Sequence, residues 1–92
     1  FDTCPAMSYA PSATYIDFSF TNNIAGGVSY IVECWNAGIT AVVTSATIVN
    51  PATGALSGSL TGLTTGTDYN IRIRVIIGGL IKDCDYQTVT TL

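Results

Sequence analysis

The chain of 92 residues predicts an all-β fold: one domain over residues 1–92, a two-sheet antiparallel sandwich of about seven strands. Three observations carry this. From Ala13 onward apolar and polar residues alternate with period two, and no stretch keeps helical spacing. Turn-forming clusters recur at short intervals along that alternation. Finally, Gly62-Leu63-Thr64-Thr65-Gly66-Thr67-Asp68-Tyr69 runs into alternating Asn70-Ile71-Arg72-Ile73-Arg74-Val75, the layout of a tyrosine corner. Leu63, Gly66 and Tyr69 form that corner, where the tyrosine ring is buried and its hydroxyl bonds back to upstream backbone.

Each element follows from local chemistry. Pro5 and Pro11 bracket a short first strand and mark it as an edge, because proline donates nothing to an internal ladder. The second strand, about 13–21, sets Ile16, Phe18 and Phe20 on one face and Asp17 and Ser19 on the other. Asn22-Asn23-Ile24-Ala25-Gly26-Gly27 reads as a loop. The third strand, about 28–36, sets Tyr30, Val32 and Cys34 against Ile31, Glu33 and Trp35. After Asn36-Ala37-Gly38 comes a β-branched segment, 39–49, that fits one long strand or two short ones. Asn50-Pro51-Ala52-Thr53-Gly54 is a turn, and Leu56, Leu60 and Leu63 point inward after it. The sixth strand buries Tyr69, Ile71, Ile73 and Val75 and leaves Asn70, Arg72, Arg74 and Ile76 outside. Gly78-Gly79 makes the last hairpin loop, and 83–91 returns as the final strand.

The corner, together with the closing Thr88-Val89-Thr90-Thr91-Leu92, resembles the fibronectin type III family of immunoglobulin-like sandwiches. The resemblance spans the whole chain. It departs at Thr65, where the family usually has proline before the corner glycine, and at Phe20, which stands where an early tryptophan is common. It implies sheets of three and four strands with inner faces about 10 Å apart, and it makes the Tyr30, Val32, Cys34 face the core face. In that topology the first and last strands run the same way along one open side. Cys4, before the first, and Cys84, opening the last, then start at one pole, within reach of a disulfide. The alternative is a pair of free thiols in a reducing compartment; the bridge is the expectation, and it implies an extracellular, periplasmic or cell-surface setting.

Composition removes several functions. Arg72, Arg74 and Lys82 are the only cations, too few for the basic stripe that nucleic acid needs. Apolar runs such as Val75-Ile76-Ile77 fall far short of the roughly 20 residues of a membrane span. Charged residues make up 10% of the chain, with serine and threonine supplying most of the polar half of the alternation. A weakly charged surface suits a module packed against neighbours. The chain starts at Phe1, which reads as a processed product or a piece of something longer.

Chemistry fares poorly. The chain has no histidine, the commonest general base and the usual partner of a serine or cysteine nucleophile. The three cysteines lack zinc-ligand spacing, and no cofactor motif is present. Cys34 reads as a small buried hydrophobe rather than a reactive thiol. Asp2, Asp83 and Asp85 gather near one pole, where calcium would be conceivable, but no recognisable calcium loop accompanies them and solvated acids are the simpler reading. The Arg-Gly-Asp tripeptide that some family members use for adhesion is absent from the last hairpin.

Trp35 and Glu33 should lie beside Arg72 and Arg74 on an outer face. This is either a self-satisfied cluster of cross-strand and cation–π contacts or a contact patch. Trp35, Arg72 and Arg74, with Ile77, Leu80 and Ile81 of the last hairpin, are the candidate interface residues. The leading expectation is a non-enzymatic extracellular structural or adhesion module that packs against protein: a spacer, filament or virion appendage, of bacterial or phage style. The alternative is a carbohydrate-binding or accessory domain of a secreted polysaccharide-degrading enzyme, with a surface glycan as partner and Trp35, Tyr9, Tyr15 and Tyr86 as its aromatics. An enzyme in its own right is the third and weakest reading.

Overall fold

The computed structural model describes residues 4–92, and these form strands without a helix. In chain order the strands are β1 (Ser8–Pro11), β2 (Ile16–Asn22), β3 (Val28–Asn36), β4 (Val42–Val49), β5 (Gly54–Leu60), β6 (Asp68–Ile77), β7 (Leu80–Asp83) and β8 (Gln87–Thr90). One sheet has the order β1-β2-β5. The other runs β4-β3-β6-β7, with β8 also paired to β6, and every pairing is antiparallel.

The inner faces come from strict alternation. Along β2, Ile16, Phe18, Phe20 and Asn22 are buried and the residues between them exposed. Along β3 and β6, Val28, Tyr30, Val32 and Cys34 meet Tyr69, Ile71, Ile73 and Val75 in one core that also takes in Leu60, Leu63 and Val89. Each large aliphatic or aromatic side chain sunk there contributes about 1.5–3 kcal/mol relative to exposure. The close fit shows at Gly58, where a Cβ would lie 2.7 Å from Phe18 Cζ. Only glycine leaves room for that ring.

Three boundaries differ from the sequence expectation, each for a local reason. β2 begins at Ile16 instead of Ala13, because Ser12 N–H donates to the Tyr15 carbonyl and folds 12–15 into a loop. The 39–49 segment is a single strand that starts only at Val42, since Asn36 Oδ1 accepts from Thr40 N–H at 2.8 Å and holds the residues between in a turn. The final strand is split. β7 pairs with β6 as far as Arg74↔Asp83, and β8 resumes at Ile71↔Gln87. Residues 84–86 therefore oppose only two residues of β6, a β-bulge. This makes eight strands in sheets of three and five, where the resemblance implied three and four.

Candidate interaction face on the five-stranded sheet

The register of the larger sheet sets its outer side chains in cross-strand rows. One row holds Val49, Ser29, Ile76 and Ile81; the next holds Thr47, Ile31, Arg74 and Asp83. A third is built on Ser45, Glu33 and Arg72. The bulge adds Tyr86 to this last row, because the extra residue carries its ring to the outer face beside Arg72.

At the centre is Arg72. Its Nε donates to Glu33 Oε1 at 2.7 Å, and the same oxygen accepts from Trp35 Nε1–H at 3.3 Å. Its guanidinium lies 5.3 Å from the Trp35 ring centroid and 4.8 Å from that of Tyr86, a double cation–π contact. The two rings meet edge to face, 6.1 Å apart at 89°. Beside them Arg74 grips Asp83 with both ends of its fork, Nε to Oδ1 at 2.6 Å and Nη2 to Oδ2 at 3.3 Å. The hydrogen bond from Arg74 holds the Asp83 carboxyl below its usual pKa and raises the guanidinium's own. Arg72 reaches the same carboxylate at 3.9 Å.

This arrangement spends its polar capacity on itself. Trp35, Arg72 and Arg74 are brought together, but the arginines are engaged by Glu33, Asp83 and two aromatic rings. Nor do the rings form a coplanar platform for a sugar, since they are perpendicular and Arg72 lies against both. Tyr9 is half-buried against the core, and Tyr15 lies apart in the loop before β2.

Exposed apolar side chains end the first row of the face, Val49 at 74% and Ile81 at 57%. Leu80, 63% exposed, is the partner of Ile77 and so lies on the other side of the sheet, at the hairpin tip. Ile77 does not join them: it pairs with Val28 and packs half-buried against the core, which corrects its placement among the surface residues. Ile31, Ile76 and Trp35 face outward but are half-buried by their neighbours in the rows. Tyr86 and Val49 belong to the face although the sequence reading did not place them there. An unpaired residue leaves no mark on a period-two pattern, and the undecided extent of the 39–49 segment hid the parity of Val49.

The remaining candidates are structural. Cys4 and Cys84 are bonded with Cα atoms 5.8 Å apart, tying the segment before β1 to the bulge across the open side of the sandwich. Cys84 N–H donates to the Ile73 carbonyl at 3.0 Å and so keeps the bulge anchored. Cys34 is fully buried, and burial pushes its thiol up to about 11. At the corner, Leu63 and Tyr69 are buried, Gly66 takes φ 57°, and Tyr69 Oη accepts a hydrogen bond from Thr64 N–H at 2.8 Å. The tyrosine thus satisfies a backbone donor. Of the acidic cluster, Asp2 lies outside the described residues and Asp83 is held by the arginines. Among the described residues no three histidine, cysteine, aspartate or glutamate side chains gather to hold a metal ion.

No family model matches the chain, and no curated protein matches it. Solved structures do. The sensor domain of the anti-sigma factor RsgI4 of Pseudobacteroides cellulosolvens superposes with a TM-score of 0.60 at 19% identity, covering 100% of this chain and 98% of that one. A solution structure of the same sensor domain gives 0.62 at 19% identity, over 96% and 75% of the two chains. The FN5 domain of Drosophila Lar gives 0.65 at 18% identity, over 95% and 92%. Likeness at such identities speaks to architecture alone, and with the corner and the sheet order it makes this chain a fibronectin type III-like β-sandwich.

Proposed function

We propose that the chain is a non-enzymatic extracellular module that works by packing against protein, as a spacer, filament or virion-appendage unit at a cell or particle surface. The observation that carries this reading is the outer face of the five-stranded sheet. Its charged side chains are locked to one another, while Val49 and Ile81 stand exposed at the two ends of the neighbouring row and Leu80 stands exposed at the tip of the adjoining hairpin. Contiguous exposed apolar side chains usually mark contact sites. The disulfide supports an oxidising compartment, and likeness to a sensor domain and to a Lar domain agrees with a binding module rather than a catalyst. The perpendicular rings around Arg72 weigh against the carbohydrate alternative.

The test is sedimentation velocity across a wide concentration range for the parent and a Leu80→Glu/Ile81→Glu variant, with a glycan array in parallel. Association that the glutamates weaken, with a blank array, is the expected outcome. A strictly monomeric parent that binds a glycan would overturn the reading.

A further inference from the structure

We propose that the free edge of β4 pairs with the β4 of a second copy of this chain, antiparallel about Ala46, joining two five-stranded sheets into one. The proposal rests on the packing function above and names both partner and surface.

The first observation is an unblocked ladder. β4 ends its sheet and pairs only with β3, so alternate N–H and C=O groups along its regular stretch, Thr44 to Val49, point outward without a strand partner. Edge strands are ordinarily defended by shortness, charge, proline or a bulge. Among the described strands the other edges show such defences. β1 has four residues and ends in Pro11. The β7–β8 edge is broken by its bulge and carries Lys82 and Asp83. β5 contains Gly54 and Gly58, which weaken a strand. β4, reading Val-Val-Thr-Ser-Ala-Thr-Ile-Val, has a bulge at Val43 near its start, but from Thr44 to Val49 it runs in unbroken register with β3 and has no charge, no proline and no glycine.

The second observation is self-complementarity. Residues facing each other across an antiparallel pair share a sheet face. A two-fold pairing must therefore centre on one residue. Centred on Ala46, it sets Ser45 against Thr47 on the outer face, where both are exposed. It sets Thr44 against Ile48 on the core-facing side, where Ala46 and Ile48 pack. The regular pairing closes at both ends where exposed Val49 (74%) reaches the bulge at Val43 of the other copy. Centring on Ser45 would instead leave Val49 facing Ala41, outside the strand. With no charged residue on either copy of β4, nothing in the strand repels its own image.

The experiment compares the full chain with a Ser45→Lys/Thr47→Lys variant by sedimentation velocity. In the proposed register each lysine faces another lysine, so the dimer dissociation constant should rise by about twofold to thirtyfold. The melting temperature should stay close to that of the parent, because both positions are exposed. A second measurement fixes the register: Ser45→Cys mixed with Thr47→Cys should cross-link under mild oxidation, and neither alone should. A chain that stays monomeric, or a dissociation constant indifferent to the lysines, would overturn the edge pairing. Association that survives the lysines but is lost in Leu80→Glu/Ile81→Glu would also overturn it, while leaving the packing function standing.

Discussion

Tyr30 donates its buried hydroxyl to Asn22 Oδ1 at 2.8 Å, from one sheet to the other. Asn22 is itself fully buried. Its oxygen also accepts from Ile24 N–H at 3.0 Å, and its Nδ2 donates to the carbonyls of Pro51 at 3.2 Å and Ala52 at 3.1 Å. One amide thus pins two loops and a tyrosine at the same pole. Asn22→Ala orphans several buried groups at once and should cost at least the roughly 1–3 kcal/mol of one such group. Urea unfolding monitored by tryptophan fluorescence reads this. Tyr30→Phe, which leaves the other three bonds in place, should cost less.

Tyr69→Phe keeps the ring but strips Thr64 N–H of its acceptor. The expected loss is about 1–3 kcal/mol, with the native near-ultraviolet signal otherwise kept. A variant as stable as the parent would show that water replaces the phenol at no cost and that the corner is held by packing.

Gly58→Ala would drive a methyl to within 2.7 Å of the Phe18 ring, which is buried and has little room to move. Overpacking of this kind costs about 1–3 kcal/mol. Because the conflict is with one side chain, Phe18→Leu should be less harmful in the Gly58→Ala background than in the parent. Additive effects in that double-mutant cycle would place the damage in the β5 backbone instead.

Reduction of the Cys4–Cys84 bond releases a loop closed over a sequence separation of 80. In the chain-entropy model this forfeits up to about 4.5 kcal/mol. Alkylation of native unreduced protein should find no thiol, and alkylation after denaturation without reductant should find one, from Cys34.

Cys34 also gives an alkaline signature. Its folded pKa, about 11, lies above the thiol's ordinary 9, so between those values the unfolded chain has lost a proton that the folded chain keeps. Stability from this group is whole below pH 9 and drains as pH rises toward 11. Denaturation midpoints at pH 8 and 10 should therefore differ more in the parent than in Cys34→Ala.

Much of this was legible in the residues. The inward parity of Ile16, Phe18 and Phe20, of Tyr30, Val32 and Cys34, and of Tyr69 to Val75 follows from alternation alone, because a half-buried strand allows one register of apolar side chains. What stayed hidden depends on pairing. Whether Trp35 and the arginines were free or self-satisfied could be weighed but not decided, because Tyr86 completes the cluster through a residue that no periodicity reveals. For the same reason Trp35→Ala is a poor probe of binding alone, since it also uncovers Arg72 and frees Glu33 from a partner.

The split in the last strand works like a shifted reading frame. In an unbroken strand Cys84 and Tyr86 would lie on the same side, and either the disulfide or the ring against Arg72 would be lost. One surplus residue lets a single strand address the space between the sheets and then the outer face. Deleting Asp85 alone should restore the plain alternation, with Cys84 still inward, Tyr86 still opposite Arg72 and Val89 still in the core. Deleting Gln87 or Thr88 instead would close the same bulge at the cost of Tyr86, which would turn inward opposite Ile71 and leave Arg72, while Val89 stays opposite Tyr69.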